Sequence, residues 1–584
     1  MAEQTSVTYV DQSNMPNLLT ESGPESLDFI VFLAGGFRQT PLADIYSYLS
    51  ECVRTLKNGG ILFVQGTPPL LAEIGAHLDR LLTFKYWIAV ESAIHRPTHG
   101  LPSVHAGILL FTKGNGRFNL HPFRFPHEYC AFCGKPLRDW GGKTHLMNPG
   151  GYTASDVWKA MTPADNYSGL SAEVLEHLLK LVDAPQGQQE AHLSDDDDAL
   201  SPRITPHGIV GPSDCIHTTS KFLAEPRGQY CLPGLESLGL PGRPINTTAR
   251  PSKELANLYN VVLQGDAVEV LRKYPDNSID LVFADPPYNL DKAYGIYDDE
   301  RRRDDYLNWC NTWLAEYVRI IKPTGSLYVL NLPRWTMYHA AFLNQLLFFQ
   351  NWIVWDALSE PRGKLMPAHY GLLLYTKQPT DFTFNYQAVG KRDSRSYCLR
   401  AACIRSRKAQ GVDSKEAVTD IWTDVHRLKH RRDRDHHPCQ LPDALLERII
   451  RLSSNPGDVV LDALAGTGTT AVMAAKLGRH YVAIDIDDAY VQIAQDKLSQ
   501  VERLGHVSRQ STRRPRPQYA KKTLQLELRD LAMRLGRLPT PEDIQTSSRF
   551  GIDAFRDAFP TWGKALKAAK LINNHGEGTY DTAT

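Results

Sequence analysis

A chain of 584 residues exceeds what one hydrophobic core organises, so roughly two to four domains are expected. Its 42% hydrophobic and 22% charged residues suit a soluble globular protein, and a net charge of zero excludes inferring a polyanionic partner from total charge. Nine scattered cysteines favour a reducing compartment, while the lack of a signal peptide in MAEQTSVTYV or of an apolar run near the roughly 18 to 20 residues of a membrane helix predicts a cytoplasmic protein with no membrane partner.

In chain order, residues 1–186 form a first unit with apolar runs in SLDFIVFLAGGF (Ser26 to Phe37), GGILFVQG (Gly59 to Gly66) and HAGILLFTK (His105 to Lys113), followed by the helix-like AEVLEHLLKLV (Ala172 to Val182). Residues 187–250 hold the acidic run Asp195 to Asp198 and many Pro, Gly and Ser without periodicity, which reads as a partly disordered linker. Residues 251–505 form a second unit. There IDLVFA (Ile279 to Ala284), SLYVLN (Ser326 to Asn331), GLLLYT (Gly371 to Thr376), VVLDAL (Val459 to Leu464) and HYVAID (His480 to Asp485) read as buried parallel strands. Amphipathic runs such as Asp304 to Ile321 and Thr470 to Leu477 separate them, so a doubly wound α/β sheet is expected. Residues 506–520 are a basic linker. Residues 521–575 read as a compact helical unit, with Gly536 ending one helix and Thr540-Pro541 starting the next.

The two large units repeat one another. GGILFVQG matches TGSLYVLN, HAGILLFTK matches HYGLLLYTK, Tyr129-Cys130 matches Tyr397-Cys398, SDVW (Ser155 to Trp158) matches TDIW (Thr419 to Trp422), and Ala172 to Val182 matches Asp443 to Ser453. The order is constant at a spacing of roughly 265 to 270 residues, too long for a solenoid.

Two motifs in the second unit carry chemistry. Asp285-Pro286-Pro287-Tyr288 follows a strand, and ligands of open α/β sheets bind at the carboxyl ends of strands. An exocyclic amino group of a base is a poor nucleophile because its lone pair is delocalised into the ring. The Asp285 carboxylate and the Pro286 carbonyl, held by consecutive prolines, can accept its two N–H bonds and free that pair. Tyr288 offers a face for a base flipped from the duplex. By itself the tetrapeptide is equally a rigid turn.

The second motif runs from Leu461 to Thr470, with Asp462, Leu464, Gly466, Thr467, Gly468 and Thr469 at a strand-to-helix turn where small residues admit a cofactor. Asp485 ends the next strand at the distance expected of a ribose-binding acid. A dinucleotide-binding loop is the nearest alternative, but the glycines depart from G-x-G-x-x-G, and no lysine follows as in a P-loop.

Together these residues resemble the β class of DNA amino-methyltransferases, in which the Asp-Pro-Pro-Tyr motif precedes the recognition region and the glycine motif comes last. The resemblance covers about Val261 to Leu504 and includes Gly265-Asp266, which looks like the contact to the cofactor adenine. It also includes His437-Pro438-Cys439-Gln440-Leu441-Pro442, which looks like the segment closing over the methionine moiety. It implies a Rossmann-like fold, S-adenosyl-L-methionine as cofactor, double-stranded DNA as partner, and direct methyl transfer to a flipped amino nitrogen without a metal or covalent intermediate. Asp rather than Ser before Pro286 leans to adenine N6 over cytosine N4. Restriction-modification or phage defence is the implied setting, with cognate restriction or defence proteins as partners. Ala463-Leu464 stand where the family usually has Pro-Phe, and Leu441 where it has Lys. These departures bear on cofactor affinity more than on reaction type. An RNA methyltransferase and a catalytically silent DNA-binding protein are the other readings, and cofactor binding separates enzyme from binder.

The recognition region implied is about residues 378–435, where basic residues crowd Lys391 to Lys408 and Arg427 to Arg434 and suit phosphate and base-edge contacts. In the first unit Ala34-Gly35-Gly36-Phe37 stand at the Asp-Pro-Pro-Tyr position and no glycine motif follows Val182, so this unit reads as a degenerate copy. Family members often dimerise, and the copy is expected to act as a pseudo-partner within the chain, with a homodimer as the alternative. The C-terminal unit, through LGRLPT (Leu535 to Thr540) and FPTWGKAL (Phe559 to Leu566), resembles the helical repeats beside homing endonucleases and is expected to bind DNA. Cys130-x-x-Cys133-Gly134 resembles half of a zinc knuckle, with Cys215, His217 and Cys231 as further candidate ligands and Cys398 and Cys403 more loosely spaced in the second unit. Unpaired thiols are the plainer reading, so no metal site is expected.

Overall fold

The computed structural model describes residues 8–9, 22–183, 208–210, 258–289, 301–504 and 519–572, apart from 37–39, 98, 115–119, 138–144, 146, 160, 163–169, 358–364, 366, 390, 399, 413–414, 428–439, 520 and 560. Among the described residues no helix is long and apolar enough to cross a membrane.

The first sheet is built from β1 (Leu27–Leu33), β2 (Leu56–Gly66), β3 (Thr83–His95), β4 (Ser103–Thr112) and β5 (Val157–Trp158), in the order β1-β2-β4-β3-β5. Two short strands extend it beyond β1: Gly208–Val210 runs parallel to β1, and Thr8–Tyr9 parallel to Gly208–Val210. A piece of the segment read as linker therefore completes the sheet. Three valine, isoleucine or glycine residues carry no periodicity to reveal it. Helices α1 (Leu42–Thr55) and α2 (Pro68–Leu78) cover one face, and α3 (Ala172–Leu181) covers the other.

The second sheet comprises β6 (Val261–Gln264), β7 (Ile279–Ala284), β8 (Ile321–Asn331), β9 (Phe348–Asp356), β10 (His369–Thr376), β11 (Ile421–Trp422), β12 (Val459–Asp462) and β13 (His480–Asp485), ordered β6-β13-β12-β7-β8-β10-β9-β11. Strands β6, β13, β12, β7 and β8 run parallel, so their carboxyl ends share one edge. The GLLLYT run, expected parallel, is antiparallel to both neighbours in β10. A strand buried on both faces is continuously apolar in either direction, so its composition cannot report polarity.

Alternation along these strands sends Val282, Ala284, Val329 and Leu461 to one core, and Leu281, Phe283, Leu330 and Val460 to another. Helices α4 (Ala267–Leu271), α5 (Arg303–Ile320) and α6 (Pro333–Leu343) pack on the first face. The second face carries α7 (Asp443–Ser453), α8 (Thr469–Lys476) and α9 (Asp488–Leu504). Helix α7 shows why: DALLERIIRLS places Leu445, Leu446, Ile449, Ile450 and Leu452 on one stripe.

Strands β1-β2-β4-β3-β5 and β7-β8-β10-β9-β11 have the same order and directions, and both β1 and β7 begin with a register shift against the next strand. Their contact is reciprocal. Helix α2 packs on α6, where Gly75 lies so close to Met337 that an added Cβ would stand 2.7 Å from its sulfur. Trp87 and Trp352 stack with ring centroids 3.8 Å apart at 12°. His105 Nδ1 lies 2.8 Å from Asp420 Oδ2, and His369 Nδ1 lies 3.1 Å from Asp156 Oδ2. The second oxygens of Asp420 and Asp156 accept from Val104 N and Ala368 N, each at 2.8 Å. One apolar core runs through this contact, joining Leu71, Ile74 and Trp87 to Met337 and Trp352.

Four short helices close the described chain: α10 (Lys521–Leu535), α11 (Pro541–Ser547), α12 (Ile552–Ala558) and α13 (Trp562–Ala568). They share a core of Leu524, Leu528, Leu531, Ile544, Phe555 and Leu566. Gly536 follows α10 with φ +66°, and Thr540 with Asp543 forms a capping box at α11.

Candidate active site

The carboxyl edge of the second sheet gathers the residues singled out in the sequence. Asp266 follows β6, Asp485 ends β13, Asp462 ends β12, and Asp285-Pro286-Pro287-Tyr288 follows β7, so neighbouring strands present them side by side. His437 lies outside the described residues.

The Asp-Pro-Pro-Tyr loop is held by side chains the sequence reading missed. Tyr306 on α5 donates its hydroxyl to the Pro287 carbonyl at 2.7 Å, and Trp335 on α6 donates its indole N–H to the Tyr288 carbonyl at 2.9 Å. Asn331, at the end of β8, donates to the Tyr306 oxygen at 3.0 Å and lies 3.0 Å from His339 Nε2. Burial drives the His339 imidazole down to about 3, so it stays neutral at physiological pH. Asn289 has φ +53° and exchanges two hydrogen bonds with the Arg301 backbone, which turns the chain out of the loop. A signal for this scaffold was present: Tyr306, Trp309, Trp313 and Tyr317 recur at helical spacing, and SLYVLN ends its apolar run on an asparagine.

Tyr288 departs from its expected role as an open stacking face. It is 2% exposed, its hydroxyl donates to Asp285 Oδ1 at 2.6 Å, and its ring centre lies 5.5 Å from that of Tyr370. In this conformation it orients the carboxylate.

The glycine loop is shaped by two buried carboxylates. Asp462 accepts from the Thr470 hydroxyl at 2.6 Å and from Leu464 N at 3.1 Å. Burial, with Asp485 adding repulsion, pushes its carboxyl up to about 7. Asp485 accepts from Gly466 N at 2.7 Å and from Asp487 N at 2.9 Å, and burial raises it to about 6. Gly466 and Gly468 have φ of +51° and +76°, and a Cβ on Gly468 would stand 2.6 Å from Ala494 Cβ on α9. Lys497, 4% exposed, donates to the Thr467 carbonyl at 2.8 Å, a contact no sequence motif announces. Thr467 is buried, while Leu464 and Thr469 are partly exposed along the turn. Asp266 caps α4, with Oδ1 accepting from Val268 N and Glu269 N. These residues have the chemistry a nucleoside needs: Gly466 and Gly468 keep the turn free of side chains, and acids stand at the ends of β6 and β13.

The basic region is used differently from the expectation. Arg392 and Arg407 are buried; Arg392 pairs with Glu416 at 2.8 Å, and Arg407 lies over the Tyr397 ring. Arg395 pairs with Glu91 of the first unit at 2.5 Å, and Arg400 donates to the Pro136 carbonyl. Composition counted these cations as nucleic-acid contacts, but carboxylates engage Arg392 and Arg395, a carbonyl of the first unit engages Arg400, and the nearby Tyr397 ring and Cys398 carbonyl engage Arg407. Arg405 and Lys408 remain exposed. Among the described residues the cysteines expected as unpaired thiols are free of disulfides, and Cys130, Cys133, Cys398 and Cys403 are brought together, whereas Cys215, His217 and Cys231 lie outside the described residues.

A sheet of this order with both motifs on its carboxyl edge is the Rossmann-like fold of methyltransferases that use S-adenosyl-L-methionine. The DNA methylase family model matches residues 279–496, and the homing endonuclease associated repeat matches 519–572. The DNA adenine methyltransferase YhdJ of Escherichia coli K12 is 32% identical over 261 residues, 44% of this chain and 87% of its own length. The type II methyltransferase M.BamHI of Bacillus amyloliquefaciens is 35% identical over 250 residues, 42% of this chain and 57% of its own, so the chain spans just over half of that relative. The solved PvuII DNA methyltransferase, cytosine-N4-specific, aligns over 43% of this chain and 89% of its own with 16% identity and a TM-score of 0.32. The chain belongs to the DNA methylase family.

Proposed function

We propose that the chain methylates adenine N6 in double-stranded DNA at a specific sequence, in a restriction-modification or phage-defence setting in the cytoplasm. The observation that carries this is the Asp285-Pro286-Pro287-Tyr288 loop, braced from α5, α6 and β8 on the same edge as the glycine loop. Asp rather than Ser at position 285 supports adenine, as does the adenine methyltransferase named among the relatives. The type II relative supports the restriction-modification setting.

In this reading Asp266, Asp485 and the Asp462–Thr469 loop hold S-adenosyl-L-methionine, which supplies the methyl group. Asp285 and the Pro286 carbonyl accept the N–H bonds of the flipped base, and Tyr288 fixes the carboxylate. Positioning and electrostatics provide the acceleration. The first unit is a degenerate copy that performs no methyl transfer, since Ala34-Gly35-Gly36 follow β1 where Asp285-Pro286-Pro287 follow β7. It serves as a pseudo-partner within one chain, which the reciprocal His–Asp contacts support. The C-terminal helices add DNA contacts. Cytosine N4 is the second reading, supported by the same loop chemistry.

The test is to express the protein and Asp285→Ala in a methylation-free host and to quantify methylated nucleosides by mass spectrometry. N6-methyladenine that depends on Asp285 is expected. N4-methylcytosine instead establishes the second reading, and no Asp285-dependent mark defeats both.

A further inference from the structure

Outside the active edge, the densest cluster of metal-binding side chains joins the two units. Cys130 and Cys133 come from a tight turn in the first unit. Gly134 N donates to the Cys130 carbonyl at 2.8 Å, Cys130 N donates to the Lys135 carbonyl at 2.7 Å, and Gly134 takes φ +66°. Cys398 and Cys403 come from the second unit, Cys403 lying in the first turn of the helix Ala401–Ala409. The backbones are laced across the junction: Ala131 N donates to the Ser396 carbonyl at 2.9 Å, and Arg400 donates to the Pro136 carbonyl at 2.8 Å.

All four sulfurs lie within 4.8 Å of one another. Cys130 Sγ is 3.8 Å from Cys403 Sγ, and Cys133 Sγ is 3.6 Å from Cys398 Sγ. A disulfide needs sulfurs about 2.0 Å apart, so neither pair is bonded. Four thiolates around a tetrahedral zinc ion at about 2.3 Å stand about 3.8 Å from each other, which the 3.8 and 3.6 Å pairs match, with every other pair within 4.8 Å. Cys130, Cys398 and Cys403 are 2%, 1% and 6% exposed, while Cys133 sits at the rim and gives an ion a route in. The two pairs are separated by 265 and 273 residues, so no local turn preference gathers them.

We propose that these four cysteines bind one structural zinc ion that clamps the first unit to the recognition region of the second. The site is closed: four protein sulfurs leave no position for substrate, so its role is to hold structure. The strand pair Lys391–Asp393 and Lys415–Ala417 and the helix carrying Cys403 flank the ligands, so the ion orders the part of the chain between β10 and β11. The cluster is separate from the methyl-transfer edge, and the inference does not depend on the base methylated.

The full chain, purified without chelator, should carry one zinc per molecule by elemental mass spectrometry. Exchange for cobalt(II) should produce the visible d–d bands and near-ultraviolet charge-transfer band of a tetrahedral thiolate site. Cys403→Ser and Cys133→Ser should each abolish stoichiometric binding, whereas Cys52→Ser, a buried thiol in α1, should retain it. Metal-free protein whose four thiols are alkylated in the native state would overturn the proposal. So would disulfides found by non-reducing peptide mapping, iron in place of zinc, or a full complement of zinc in Cys403→Ser. If the serine variants do not fold, the metal content and cobalt spectrum of the unaltered chain decide.

Discussion

Replacing Asp462 by asparagine separates the electrostatic cost of the glycine loop from its hydrogen bonding. The carboxyl is 3% exposed, and burial raises its pKa from 3.8 to about 7. The folded state therefore holds the proton more tightly than the unfolded chain. The group's destabilisation is absent below about pH 4, grows as pH rises, and is complete above about pH 7. Proton binding about a thousandfold tighter in the folded state corresponds to about 4 kcal/mol at pH 8, and about 2 kcal/mol of that is already present at pH 5. Asparagine has the same shape without the charge. It keeps an oxygen for Leu464 N, and the Thr470 hydroxyl must turn to accept from its amide, a pH-independent loss of about 1 kcal/mol. The difference between variant and parent should thus move by about 2 to 3 kcal/mol in favour of asparagine between pH 5 and pH 8. Hydrogen exchange of the β12 peptide in the intact chain reads this directly, since comparing both proteins at one pH cancels the intrinsic rate. The exchange-rate ratio should change by about 100-fold across the two conditions. An equal ratio at both would refute the claim that the buried carboxylate is what burdens this loop.

Three further outcomes follow from the geometry. Tyr288→Phe removes the 2.6 Å hydrogen bond to Asp285, a charge-assisted contact of about 1.5 to 3 kcal/mol, and should slow single-turnover methylation about 10- to 100-fold with cofactor affinity unchanged; a loss of affinity in calorimetry would contradict the role given to Tyr288. Gly468→Ala forces α8 and α9 apart and should lower both thermal stability and cofactor affinity, whereas Gly478→Ala, with φ +74° and no atom within 4 Å of the new Cβ, should cost only about 1 to 2 kcal/mol of backbone strain and spare affinity; equal effects of the two would remove the packing argument. Asp420→Ala strands the buried His105 ring and Val104 N–H, so exchange around residues 101–106 should accelerate by an amount equivalent to about 3 to 5 kcal/mol, and unchanged protection would show that the reciprocal contacts contribute little.

Much of the candidate site's edge was legible because its residue types answer local requirements. Proline must follow Asp285 to stiffen a loop, glycine must occupy the left-handed positions 466 and 468, and an acid must end β13, all within a few residues of a recognisable strand. The direction of β10, the strand at Gly208–Val210 and the burial of Tyr288 were not legible, because each depends on which distant segment lies alongside.

The sequence by itself determined that only residues 251–505 keep the Asp-Pro-Pro-Tyr and glycine motifs and that these sit at strand ends, and it led to the expectation of two related units. Periodicity and turn chemistry act over a handful of residues, so a single chain displays them. Tertiary structure alone decided what joins the units. Asp420 meets His105, Asp156 meets His369, Arg395 meets Glu91, and Cys130 and Cys133 meet Cys398 and Cys403. Each partner lies more than two hundred positions away, and the pairings exist only because two faces of similar shape are packed reciprocally. Arginines read in sequence as nucleic-acid contacts, and cysteines read as unpaired thiols, became ion pairs and a cluster of four thiols once folding fixed their neighbours.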